Sequence, residues 1–387
     1  MKRLRDFLIV FALLLVVAYA QPVVSPSFFS PKINQEQNPA DSKPKNKRPK
    51  KIDYEKIPTV GLASFIHQDP QELTKEYGEP LEIQTTSLGY DWWILGEDEK
   101  DYMQVAVRNH KVQSIFVLGK EVDTSPFRLG MSVSQVLEIG SVSPDFKIDN
   151  ENTAVSFELS EKDMNHRPLL AFDNGSFAML HFSQKTNRLI GIRYLDKETL
   201  LRLMPYQLNE EDLEAKKATD KIDWETVDNN NERQFLSIFN ILKEKDQSAY
   251  YSLNKQLDEK AEQVLTSFLA NPEQVLKNKN HLINWEHAKT RLDYSAPFYL
   301  TNEEFKRLLA LGNLSSDSVH GIIYTPAYDV PMMIMNWYSE GVYRQQFSHK
   351  KERDMGIYFY EDVGLFLFGN HEGKVPTVNE TEGSDSR

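Results

Sequence analysis

The strongest apolar run in the chain is Phe7 to Ala20, FLIVFALLLVVAYA, which follows a short segment carrying Lys2, Arg3 and Arg5. As a helix, such a run is about 21 Å long, short of the ~30 Å hydrocarbon core of a bilayer. Basic residues, an apolar centre and the small-residue ending Ala18-Tyr19-Ala20 predict an export signal over 1–20. Pro22-Val23-Val24 and Phe28-Phe29 prolong the apolar character and keep an uncleaved anchor as the alternative. Residues 21–57 then lose large apolar groups and gain Pro, Lys and Asn. They bury too little surface to offset ordering entropy, so a disordered basic tether is expected.

From 58 to 204 the pattern changes to short helical stretches followed by period-two runs. Asp69-Pro70 opens one helix that stops at Gly78, and Ser132 or Ser134 caps a second before Val136-Leu137. Alternating runs follow each: 90–95, 102–107 and 112–117 after the first, 169–172, 177–182 and 189–194 after the second. Asn109-His110 and Asp173-Asn174-Gly175 lie between strands as hairpin turns. Two helix-plus-three-strand units predict a repeated α+β domain with antiparallel sheet.

Residues 205–230 are charged and aperiodic and read as a linker. Beyond them Phe235, Ile238, Phe239 and Leu242 mark one face of a helix, and Leu257, Ala261, Val264, Leu265 and Phe268 another. Thr301-Asn302-Glu303-Glu304 is a capping box, and Asp329-Val330-Pro331 opens a helix running past Trp337. Residues 355–360 and 363–368 form a hairpin around Glu361-Asp362. A second domain is thus expected over 231–371, with a disordered tail over 372–387.

Composition narrows the partners. The chain of 387 residues has a net charge of −12, which argues against nucleic-acid binding through a basic surface. It has no cysteine. For an exported protein this removes disulfides and thiolate metal sites, suits a Gram-positive envelope, and predicts that each domain is held by its own core.

The second domain resembles the CAP superfamily of cysteine-rich secretory, antigen 5 and pathogenesis-related proteins over roughly 231–370. Val319-His320-Gly321-Ile322-Ile323-Tyr324 is similar to the family's Gly-Glu-Asn-Ile-Ala-Tyr. Trp337-Tyr338-Ser339-Glu340-Gly341-Val342-Tyr343-Arg344 resembles Trp-x-x-Ser-x-Gly-His-Arg, and Met355-Gly356-Ile357 the following strand. The repeated domain at 58–203 is similar to the module that accompanies CAP domains in exported proteins of Bacillus-like bacteria. The resemblance implies a CAP-like α/β/α sandwich whose cleft, where intact, holds two histidines and two acidic residues able to bind a divalent metal. Here Val264 or Leu265 stands at the first histidine position, His320 at an acidic one, and Val342 or Tyr343 at the second histidine. An aliphatic side chain has no lone pair for zinc, so a degenerate, metal-free domain with no cofactor is expected.

Other chemistry is sparse. No Gly-x-Ser-x-Gly elbow or phosphate loop occurs, and the acidic runs 97–99 and 210–212 sit in solvated surroundings. His281 and His287 are six residues apart, not the i, i+4 spacing of a helical metal pair. The candidate cleft residues are therefore His287, His320, Tyr324, Trp337 and Tyr343, with aromatic rings offering contact area to a glycan, peptide or lipid. The expected role is extracytoplasmic binding or scaffolding of an envelope component or envelope protein, tethered to the membrane through the N-terminal segment or secreted. The alternatives are an envelope hydrolase using His320 with a neighbouring carboxylate, and an apolar-ligand carrier.

Overall fold

In a computed structural model, residues 54–150, 153–208, 221–291, 293–339 and 353–370 are described. The export signal, residues 21–53 of the tether, Val342, Tyr343 and the tail lie outside them. The end of the tether is ordered, contrary to expectation, because Ile57 is buried and Lys56–Ile57 pair as a parallel strand with residues 171–172. Among the described residues no helix is long and apolar enough to cross a membrane.

The first half contains β1 (Lys56–Ile57), α1 (Pro70–Tyr77), β2 (Glu82–Thr85), β3 (Asp91–Leu95), β4 (Met103–Arg108), β5 (Lys111–Val117) and α2 (Val133–Leu137). Then come β6 (Asp145–Asn150), β7 (Thr153–Glu158), α3 (Glu161–His166), β8 (Leu169–Phe172), β9 (Phe177–Phe182), β10 (Leu189–Leu195), α4 (Lys197–Leu203) and β11 (Gln207–Leu208). Local chemistry sets the ends. The Asp69 carboxylate accepts from Gln71 N at 2.9 Å and Pro70 takes the first helical position of α1. Ser132, of the two serines considered, caps α2 in a reciprocal box with Gln135. Asn109 and His110 both take positive φ between β4 and β5, the tight turn expected there.

Eight strands form one sheet in the order β1-β8-β9-β10-β5-β4-β3-β2. The meanders β3-β4-β5 and β8-β9-β10 meet through their last strands, Tyr194 opposite Ile115. The sequence repeat is therefore a pair of three-stranded units joined side by side. The hairpin β6-β7 and helix α3 interrupt the second unit, and their own alternation, Phe146 and Ile148 against Val155 and Phe157, was open to reading in the sequence.

The second half contains α5 (Trp224–Lys245), β12 (Tyr251–Leu253), α6 (Lys255–Ala270), α7 (Lys279–Arg291), α8 (Asn302–Leu311), β13 (Val319–Tyr324), α9 (Val330–Ser339), β14 (Arg353–Tyr360) and β15 (Val363–Asn370). The sheet order is β12-β14-β15-β13. Period-two alternation decides what each face meets. Phe366 and Phe368 join a core containing Phe235 and Phe239 of α5 and Trp337 of α9. Leu365 and Leu367 face Ala261, Val264 and Leu265 of α6 together with Trp285 and Leu308.

The core around α5 and α9 also takes in Trp92, Ala106, Phe116 and Met179 of the large sheet. The opposite face of that sheet, including Val105, Ile115 and Val117, packs with Leu62, Leu73 and Val136. Helices α5 and α9 therefore lie between the two sheets and serve both. Each half keeps a cluster of its own on the outer face of its sheet. A third core is shared, so the expectation that each domain is held by its own core holds only in part, and the described residues from 54 onward pack as one unit. Helix α5 begins at Trp224, inside the stretch read as a linker, because the small sheet and β2 both need it as a cover.

Candidate functional site

Where the halves meet, a buried ion pair is built from both. Arg193 of β10 binds Asp329 through two bonds, Nη1 to Oδ1 at 2.6 Å and Nη2 to Oδ2 at 2.9 Å. Tyr90 donates its hydroxyl to Asp329 Oδ2 at 2.8 Å, and Arg193 Nε donates to Ser114 at 3.0 Å. The guanidinium lies over Trp92, 5.2 Å from the ring centroid. Asp329 also caps α9, accepting from Met332 N at 2.8 Å. Burial, the largest single influence, pulls the Arg193 pKa down, yet Asp329 and Tyr90 together outweigh it and the guanidinium is held more firmly charged than usual. Every polar atom of the pair is engaged and solvent is excluded, so this constellation joins modules and leaves no reacting atom exposed.

Solvent reaches the junction at its rim. A cleft of about 600 Å³ opens there, walled by α3 with Arg167 and Gln207 from the first half, and by residues 294–297, Tyr299, Tyr324, Asn336 and Ser339 from the second. Arg167 holds the walls together. It donates to Asn336 Oδ1 at 2.6 Å, to Asp163 at 2.8 Å and to the Pro205 carbonyl at 2.5 Å, and stacks on Tyr206. A second cleft of about 510 Å³ is lined by His281, Asn284, His287, Asp293 and residues 296–299. His281 Nδ1 lies 2.8 Å from Glu304 Oε1. Burial alone would raise the Glu304 carboxyl, but hydrogen bonds from His281 and Thr301 hold it below its ordinary value.

The predicted cleft residues separate on this framework. Tyr324 lines the first cleft, and Trp337 lies in the core with its ring 5.7 Å from that of Tyr324. His287 lines the second cleft. His320 is exposed on β13, and its alternation places it with Ile322 on the face toward α5 and α9, whereas α7 packs on the other face. His287 and His320 therefore do not converge. Tyr343 lies outside the described residues. His281 lines the second cleft beside His287, because i and i+6 still share a broad helix face. The neighbouring Phe298, 4.7 Å from the His281 ring, was the missed signal.

Of the positions at which the resemblance implies metal ligands, those of Val264, Leu265 and His320 are described and those of Val342 and Tyr343 are not. Val264 is fully buried among leucines and phenylalanines, where it packs and offers no lone pair. Among the described residues no group of three or more His, Cys, Asp or Glu side chains is placed to hold a metal ion.

Two further electrostatic features sit in the cores. His181 of β9 is buried against Phe116; burial, then the charges of Arg167 and Arg193, push its pKa well below 6.5. Carboxylates also line the outer edge of β14 beyond β12. Asp258 accepts from Ile357 N at 2.7 Å, Glu232 from the backbone of Phe359, and Asp228 from Glu361 N at 3.3 Å. Burial, followed by neighbouring carboxylates, raises Asp228 and Glu232 to about 7.

Comparison with known proteins places this arrangement. Residues 66–206 match the family model described as CAP-associated N-terminal. The membrane protein YlbC of Bacillus subtilis strain 168, itself uncharacterized, is 30% identical over 190 residues, 49% of this chain and 55% of its own length. The chain thus spans about half the length of the curated relative it matches. An extracellular protein containing an SCP domain from Bacillus anthracis superposes with a TM-score of 0.62 at 21% identity, covering 83% of this chain and 99% of that one. A cysteine-rich secretory protein from Staphylococcus aureus gives 0.64 at 18% identity, covering 82% and 95%.

Proposed function

We propose, for a chain whose residues 66–206 form a CAP-associated N-terminal domain within the α+β fold of SCP-domain proteins, a role in recognising a component of a Gram-positive envelope, without turnover. One observation carries this reading: the larger cleft takes its walls from both halves. A binding surface shared in this way gives the attached module a reason to be fixed against the CAP-like half. The buried Arg193–Asp329 pair fixes it. Valine in place of a ligand at position 264 weighs against metal-assisted hydrolysis. The apolar N-terminal run, and the membrane and extracellular character of the relatives, support an extracytoplasmic location, anchored or secreted.

The test is sedimentation of the full chain, purified in mild detergent, with isolated Gram-positive cell walls and membranes. Ala296 lines both clefts, so Ala296→Trp fills them from an exposed position. Co-sedimentation that is lost in this variant, with its melting transition unchanged, is the expected result. Envelope binding indifferent to Ala296→Trp, or release of soluble fragments from the envelope material, would overturn the reading.

A further inference from the structure

The two clefts share a wall, and its construction points to a ligand class. Residues 293–299 are pinned at both ends. Asp293 Oδ1 accepts from Ser295 N at 2.7 Å, and Tyr294 exchanges hydrogen bonds with the Asp329 backbone at 2.8 and 3.0 Å. Phe298 N donates to the Thr325 carbonyl at 2.9 Å. Tyr294 and Phe298 are buried, while Tyr299 is 54% exposed between the two clefts. An aromatic ring on a backbone anchored this way loses little conformational freedom when a ligand stacks on it.

The charges around it balance. In the first cleft Lys162 and Arg167 stand against Glu158 and Asp163, and Arg167 is already paired with Asp163. In the second, Asp293 accompanies His287 and a His281 engaged by Glu304. A polyanion would require a surface of one sign, and this one supplies none. What the clefts offer instead is neutral hydrogen-bonding capacity, the Ser295 hydroxyl in the first and the exposed Asn284 amide in the second, whereas Asn336 and Ser339 are already engaged by Arg167, Tyr324 and the Met335 carbonyl.

We infer that the two clefts, which share Ala296, Pro297 and Tyr299 as a common wall, bind a neutral glycan chain. Tyr299 stacks on the apolar face of a sugar ring while the Asn284 amide and the Ser295 hydroxyl take up ring substituents. This inference rests on the recognition reading above and names the chemistry of its ligand.

Calorimetric titration of the full chain in mild detergent with chitohexaose, cellohexaose, polyglycerol phosphate and a short peptide tests it. Saturable binding of either neutral hexasaccharide is expected, weakened at least tenfold by Tyr299→Ala and retained in Tyr299→Phe, which keeps the ring. Asn284→Ala, at an exposed position, is expected to weaken it without altering the melting transition. Absence of saccharide binding, saccharide binding insensitive to both alanine variants, or preferential binding of polyglycerol phosphate or the peptide would overturn the inference. If the chain still sediments with envelope material in a manner blocked by Ala296→Trp, that failure belongs to the glycan assignment alone. If it does not sediment, the recognition reading falls as well.

Discussion

Single residues decide whether the junction is a joint or a hinge. Removing one partner of a buried ion pair leaves the other uncompensated, at a cost of about 3–5 kcal/mol. Arg193→Ala is expected to lose that much in urea denaturation, whereas Arg193→Met combined with Asp329→Asn, which retains the α9 cap, is expected to lose less than the two single changes together. Additive losses would show that the two groups do not act as a pair. His181 supplies a second residue-level signature. Its folded pKa lies below 6.5, so the unfolded chain takes up its proton first as pH falls. The associated stability is present above about pH 6.5 and declines as pH drops toward the folded pKa. His181→Phe is expected to flatten the stability profile between pH 7 and 5, and an unchanged profile would assign that slope to other groups. Where the resemblance implies a histidine and Val264 or Leu265 stands, the expectation is equally plain: Zn²⁺ titrated into the full chain shows no stoichiometric tight binding. A stoichiometric isotherm abolished by His320→Ala would reverse this.

At the level of elements, the sequence carried what local chemistry specifies. Asp69, Ser132 and Thr301 cap helices as their side chains predict, and the two meanders form where their period-two runs predict, with successive residues sent to the two different cores that cover the sheet. What long-range packing specifies was not readable. Arg193 and Asp329 are 136 positions apart, and nothing local marks either as the other's partner. The candidate site dispersed for the same reason, since His287 and His320 flank a sheet whose strand order no local pattern reveals. The carboxylate-lined edge of β14 is a further nonlocal product. Strand β12 covers it only over residues 353–355, and beyond that Asp258, Glu232 and Asp228 accept the outward N–H groups in place of a neighbouring strand. Such capping keeps an edge from pairing with another chain. It also has a pH cost of definite sign. With folded pKa values raised from 3.8 and 4.5 to about 7, Asp228 and Glu232 contribute stability that is complete below about pH 4. That contribution is lost as pH rises through about 7. Asp228→Asn and Glu232→Gln are therefore expected to raise the urea midpoint at pH 8 and to change it little at pH 4.5. A fall at pH 8 would mean that the charged form is the one the edge requires.

The whole molecule is best understood from the layer it shares. Helices α5 and α9 carry apolar groups on two sides, Phe235 and Trp337 touching Phe366 of the small sheet while Met335 reaches the large sheet at Gly191. Without disulfides, stability rests on these packed faces, and truncating a buried Phe or Trp to Ala costs roughly 3–5 kcal/mol. A fragment beginning at residue 221 keeps both helices but strips the large sheet from one side of them, also stranding Asp329 without Arg193. A fragment ending at 208 leaves Trp92, Phe116 and Arg193 facing water. Each cut exposes more than either half is able to offset, so neither fragment is expected to melt cooperatively alone. The full chain is expected to unfold in one transition, with calorimetric and van't Hoff enthalpies in agreement. Two separated transitions, or a cooperatively folded 221–387 fragment, would mean that the second half's own cluster around α6 and Trp285 suffices to fold it and that the buried pair merely docks a finished module. A single transition would instead make the first half a structural part of the cleft it walls, so that substitutions near Trp92 weaken ligand binding by unseating α9.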